Sequence, residues 1–218
     1  GRKFERRISP LVRMIKSGAG TTTEIQPTFN SSGLVEGQTG TLVLAGTVTN
    51  TGTLRANAGG TLTVSGSLTN LSSNTLTGGT YQVLGTLRVP SAINTNAATL
   101  LLDGASSLLL VGSSGATDAL AGFSTNAAAG SFTIQNGRNF TRSAGFSNAG
   151  AITISNSSTL SLSGGGTGTG SFTVASGGTL AFPGGTYSLN SGTSITGAGT
   201  VTVNGGDLTF SAGTYNVG

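Results

Sequence analysis

Very few side chains in this sequence could carry chemistry. Its six carboxylates, Glu5, Glu24, Glu36, Asp103, Asp118 and Asp207, are widely scattered, and there is no His and no Cys. Glycoside hydrolysis takes two carboxyl groups facing one another across the scissile bond, and no adjacent acidic pair exists here. Elimination from an acidic polysaccharide calls for Ca²⁺ held by several oxygens beside a basic group. Asp103 and Asp118 come nearest to that pattern, with Arg88, Arg138 and Arg142 as the available bases. In a chain with only 7% charged residues these read as separate, solvated loop positions. A Ser nucleophile has neither a His nor a placed Lys to activate it, and without Cys there is no disulfide framework or thiolate metal site. The run GGGTGTG at 164–170 lacks the Lys-Ser/Thr of a phosphate loop. Gly205-Gly206-Asp207 shares only the opening of a Ca²⁺-binding nonapeptide, once. The expectation is a protein that is not an enzyme and holds no cofactor or metal.

Binding is the next possibility. Tyr81 and Phe140, the latter close to Arg138 and Arg142, form the one candidate glycan-contact patch, although core or corner packing is the favoured reading for both because aromatics bury large areas. The other aromatics, Phe132, Phe172, Phe182, Phe210, Tyr187 and Tyr215, recur in step with a repeat and are read as core, where aromatic side chains bury large areas. Thr-x-Thr at 61–63, 75–77 and 200–202 raises the question of an ice-binding face. In the clean repeat, however, Thr63 falls on Val43, and Thr is a favoured outward strand residue in any case. The basic residues Arg2, Lys3, Arg6, Arg7, Arg13 and Lys16 crowd the start against Glu5, while the body carries Arg55, Arg88, Arg138 and Arg142 against five acids. A nearly neutral body argues against nucleic acid as a partner. Its longest apolar runs, Leu100–Leu102 and Leu108–Val111, fall far short of the roughly 20 residues a spanning helix needs.

The elements that would position these residues follow from a repeat. Thr, Ser, Asn and Gly, poor helix formers, alternate with Leu, Val, Ile and Phe at the period of a strand. GTLVLAGTVTN at 40–50 recurs as GTLTVSGSLTN at 60–70, placing Leu42 on Leu62, Leu44 on Val64, Val48 on Leu68 and Asn50 on Asn70. SFTI at 131–134, AITI at 151–154 and SFTV at 171–174 keep the same step, as do STLSL at 158–162 and GTLAF at 178–182. GGTLAFPGGTYSLN at 177–190 returns as GGDLTFSAGTYNVG at 205–218 with a longer step, read as a coil of about 28 residues. A turn of about 20 residues at about 3.3 Å each suits three short strands and three corners. The prediction is all-β: a right-handed parallel β-solenoid of roughly nine coils, with the paired aliphatic residues as inward ladders and Asn50 and Asn70 stacked at a corner. A β-sandwich has similar strand lengths but does not require residues to recur at a fixed step. Leu62 is expected inward and Thr63 outward. Residues 18–218 form one domain, with longer loops at 90–127 and a short helical turn at 119–123. Residues 1–17 are a basic opening segment: either an amphipathic cap broken by Pro10 or, preferred, a strand with Ile8, Val12 and Met14 inward.

Four segments, 17–42, 96–110, 126–154 and 168–189 (the last reading GTGSFTVASGGTLAFPGGTYSL), resemble large secreted bacterial β-strand-repeat proteins, the autotransporter passengers and filamentous-haemagglutinin-like adhesins. The resemblance runs through nearly the whole chain from residue 17. It implies an extracellular or cell-surface segment of a longer protein, structural or adhesive, meeting host or environmental glycans or proteins. It supplies no catalytic motif. The alternative is a lyase-like carbohydrate-active β-helix, and less so an ice-binding one. A break in mid-repeat at Gly218 leads to a further expectation, end-to-end self-association through an open coil edge.

Overall fold

A computed structural model describes residues 13–218. It is a right-handed parallel β-solenoid of about ten turns without helix, one turn more than the repeat count suggests. Each regular turn lays down three strands, as in Ser131–Gln135, Phe140–Arg142 and Phe146–Asn148. The next turn repeats them as Ala151–Ile154, Thr159–Leu162 and Gly166–Gly168. The first face is unbroken from Met14–Lys16 to Gly213–Val217, every neighbouring pair being parallel. Thr75–Val83 and Thr95–Asp103 are long enough to turn a corner, so each pairs on the third face through its start and on the first through its end.

Alternation decides what goes inside. On the first face Phe132, Ile152, Phe172 and Ile195 lie in register and are fully enclosed. On the second face Leu42, Leu62, Leu87 and Leu109 do the same, and Leu44 stacks on Val64 as the repeat predicts. Val48 bridges Leu68 in parallel. Enclosing one such side chain stabilises by about 1.5–3 kcal/mol, so each turn secures its neighbours. At the corner Asn50 N donates to Asn70 Oδ1 at 2.7 Å, and Asn70 Nδ2 donates to the Asn50 carbonyl at 2.9 Å.

Four expectations are corrected or sharpened. The segment 205–218 does not repeat 177–190 as one coil: Tyr187 lies on Leu208 and Leu189 on Phe210, while Tyr215 lies on Ile195. The two stretches resemble each other because every face uses the same inward-outward alternation, and the likeness is shifted by one face. The longer circuits occur where Leu54 stacks on Tyr81 and Leu100 on Phe132. Thr63 points outward by alternation but is only 4% exposed, sandwiched between Val43 and Arg88 on the sheet. Residues 119–123 form successive turns, with Ala121 N donating to Asp118 O and Phe123 N to Leu120 O, and no helix. Of the opening segment, residues 1–12, which carry Ile8, Pro10 and Val12, lie outside the described residues. Met14–Lys16 is a strand, with Met14 packed against the core.

Candidate functional site

The proposed glycan patch does not assemble. Tyr81 is 1% exposed, stacked between Leu54 and Leu100 on the inner side of the first face. Burial pushes its phenol up to about 12, opposed by the Asn50 side chain. Phe140 is also buried, edge-on to Phe123 and Phe132 at 5.7 and 5.5 Å. Core packing, the reading that aromatic area favours for both, is what the fold gives; Phe140 keeps the regular step to Leu160, whereas Tyr81 lies on a longer circuit from Leu54.

The arginines near them serve a loop. After Leu108–Val111 the chain leaves the second face, returns antiparallel through Asp118 opposite Leu110, and sends Phe123 into the core. Phe123 packs edge-on to Phe132, Phe140 and Phe146. Arg88 holds the loop from one side, Nη2 donating to the Gly115 carbonyl at 2.9 Å. Arg142 holds it from the other, Nη1 donating to the Ala121 carbonyl at 2.8 Å. Arg142 occupies the register of the inward Leu162, and its long stem lets the charged head reach that carbonyl. Arg138 Nη1 donates to the neighbouring Asn139 carbonyl.

The carboxylates are likewise absorbed by the scaffold. Asp103 accepts from Gln135 Nε2 at 2.9 Å and Asn136 Nδ2 at 2.6 Å. Asp118 Oδ1 accepts from the Leu120 N–H at 2.9 Å, closing the turn. Glu24 accepts from Gln26. Among the described residues Glu36 is the one enclosed acid, 2% exposed on the outer side of the first face. Asn57 Nδ2 donates to it at 2.6 Å, Gln38 Nε2 at 3.2 Å, and the guanidinium groups of Arg55 and Arg13 stand 3.5 and 3.7 Å away. A buried carboxylate persists when its oxygens are satisfied in this way. Among the described residues, no three His, Cys, Asp or Glu side chains gather as a metal site would need.

Sequence reasoning missed a second amide ladder. Asn96, Asn126 and Asn148 lie in register inside the third face, each at most 1% exposed. Asn96 Nδ2 donates to Asn126 Oδ1 at 3.0 Å, and Asn126 Nδ2 to Asn148 Oδ1 at 2.9 Å. The readable signal was a hydroxyl residue before each Asn, as in Thr49-Asn50, Thr95-Asn96, Thr125-Asn126 and Ser147-Asn148.

Those preceding hydroxyls belong to a long regular surface. On the third face an outward column runs from Thr75 through Thr95, Thr125, Ser147, Thr167 and Ser188 to Thr209 without a break. The first face carries two columns side by side. One is Ser131, Ala151, Ser171 and Ser194; the other is Thr133, Thr153, Thr173 and Thr196. No charged residue occurs in the sequence between Arg142 and Asp207. What these turns offer a partner is hydroxyl, methyl and backbone. No known protein family, curated protein or solved structure matches the chain.

Proposed function

We propose that this chain is a structural or adhesive segment of a secreted or cell-surface bacterial repeat protein, a rigid spacer whose sides meet glycans or proteins, and that it is not an enzyme. One observation carries the reading: the acids and arginines of the body for which partners are found brace turns, loops and strands, leaving the regular sides to hydroxyl residues. The likeness of its strand repeats to secreted adhesins points the same way. The lyase-like alternative needs Asp103 and Asp118 as ligands for a cation, and both already accept hydrogen bonds from the scaffold.

A stack of about ten turns spaced about 4.8 Å apart is roughly 50 Å long. Small-angle scattering is expected to show a rod of that length, and antibodies against the purified chain should label intact producing cells. A compact particle, or labelling only after cells are broken, overturns the reading. Turnover of a polysaccharide with Ca²⁺, lost in Asp103→Ala or Asp118→Ala, restores the enzyme alternative.

A further inference from the structure

The geometry points to an ice-binding surface on the first face: the paired columns in which Thr133, Thr153, Thr173 and Thr196 stand beside Ser131, Ala151, Ser171 and Ser194 form a lattice that holds ordered water. This goes beyond the spacer reading, which stands or falls separately. The second-face motif around Thr63 is broken by Val43 and covered by Arg88. On the first face the Thr column has neither defect over these turns, and the column beside it is interrupted once, by Ala151.

Four features support it. First, the spacing is two-dimensional: parallel strands repeat at about 4.8 Å, and alternate residues along one strand at about 6.7 Å. The registers Phe132↔Ile152, Ile152↔Phe172 and Phe172↔Ile195 continue without a shift. The side planes of hexagonal ice repeat on similar scales. Second, the array is rigid. The inward partners Phe132, Ile152, Phe172 and Ile195 are fully enclosed, and a β-branched Thr has a restricted χ1. Methyl and hydroxyl groups are therefore fixed before water arrives, which lowers the cost of ordering them. Third, a charge would gather a hydration shell of its own and break the water lattice, and none occurs from Ser143 to Gly206, the stretch that carries every array position except Ser131 and Thr133. Fourth, the aromatic side chains of these turns, Phe132, Phe172, Phe182 and Tyr187, are buried. The face lacks the stacking platform that a neutral polysaccharide would use, so water is the better fit.

The test grows a slow ice front through a solution of the protein and measures its enrichment in ice over liquid. The wild type is expected in the ice. Thr153→Lys with Thr173→Lys should abolish enrichment, while Thr141→Lys on the second face, an exposed position, should retain it. Thr153→Val with Thr173→Val keeps the β-branched shape but removes two hydroxyls, and should lower enrichment with an unchanged melting temperature. The inference is overturned if the wild type is excluded from ice, if the array and second-face variants partition alike, or if the wild type binds crystalline cellulose or chitin without entering ice.

Discussion

Tyr187 lies directly on Gly166 in the third-face stack, and Phe146 lies on its other side. Both aromatic residues are at most 2% exposed. The rung between them is thinned to backbone. Gly166 has φ +144°, and a Cβ there would collide with the Phe146 carbonyl oxygen. Gly168 gives the Tyr187 ring its second margin, a Cβ there reaching within 3.4 Å of it. The phenol then donates to the Thr167 carbonyl at 2.8 Å, so the Gly-Thr-Gly strand is both a spacer and an acceptor. Gly166→Ala should be among the most damaging single-methyl additions, since overpacking costs about 1–3 kcal/mol and the positive φ adds strain. Tyr187→Phe should cost about 1 kcal/mol, the net worth of one hydrogen bond. Urea midpoints check both, and an unshifted midpoint for Gly166→Ala contradicts the packing.

The amide ladder predicts a non-additive series. Asn126→Leu removes the central member and leaves Asn96 Nδ2 and Asn148 Oδ1 without their mutual partner in a dry interior, at a cost of about 1–3 kcal/mol. Replacing Asn96, Asn126 and Asn148 together by Leu strands no ladder amide. The triple variant is therefore expected to lose less than three times the single loss. A double-mutant cycle on Asn126 and Asn148 measures the coupling directly. Strict additivity would mean the ladder is three separate contacts.

The inward-outward alternation sets a contrast between three substitutions, two on the second face and one on the first. Leu62→Asp puts an unpaired charge into the core and should cost several kcal/mol. Thr173→Asp, on an exposed outer position, should cost less than about 1 kcal/mol. Thr63→Asp should fall between them, because Thr63 faces outward yet is covered. The neighbouring Arg88 softens that cost by offering a counter-charge. Thermal melts that rank Thr63→Asp with Thr173→Asp would show that the cover is loose.

The fold was legible because ladders demand identity at a fixed step. Where the step held at 20, as from Leu42 to Leu62 and from Phe132 to Ile152, the sequence alone placed side chains on each other. It did not reveal which face a segment belongs to, since all three faces share one alternation. Tyr187 and Tyr215 were paired for that reason, though they sit on different faces. It also hid residues on irregular circuits. No regular step marks Tyr81 as inward, since it lies on a longer circuit from Leu54, and the Asn96 ladder goes unseen because its spacing is not 20. Hydrogen-bond partners for Asp118 and Arg142 come from a loop whose course no periodicity specifies. The outer columns of the first face were readable from SFTI, AITI and SFTV, whose first and third residues are Ser-Thr, Ala-Thr and Ser-Thr.

The last prediction concerns alkali. Burial raises both enclosed phenols, Tyr81 to about 12 and Tyr187 further still. Their unfolded value is 10.0. Below that pH both states hold the proton and stability does not depend on these groups. Above it the unfolded chain releases protons that the folded chain retains, so stability falls as pH rises. For Tyr81 the loss spans the window from 10 to about 12 and then levels off; for Tyr187 it continues beyond. Tyr81→Phe with Tyr187→Phe removes both protons from the balance. Relative to the wild type, this variant should lose some stability at neutral pH through the missing Thr167 contact, yet hold what remains more evenly between pH 10 and 12. Urea denaturation at successive pH values tests the slope. Parallel slopes in the wild type and the double variant would show that neither phenol is kept neutral by the core.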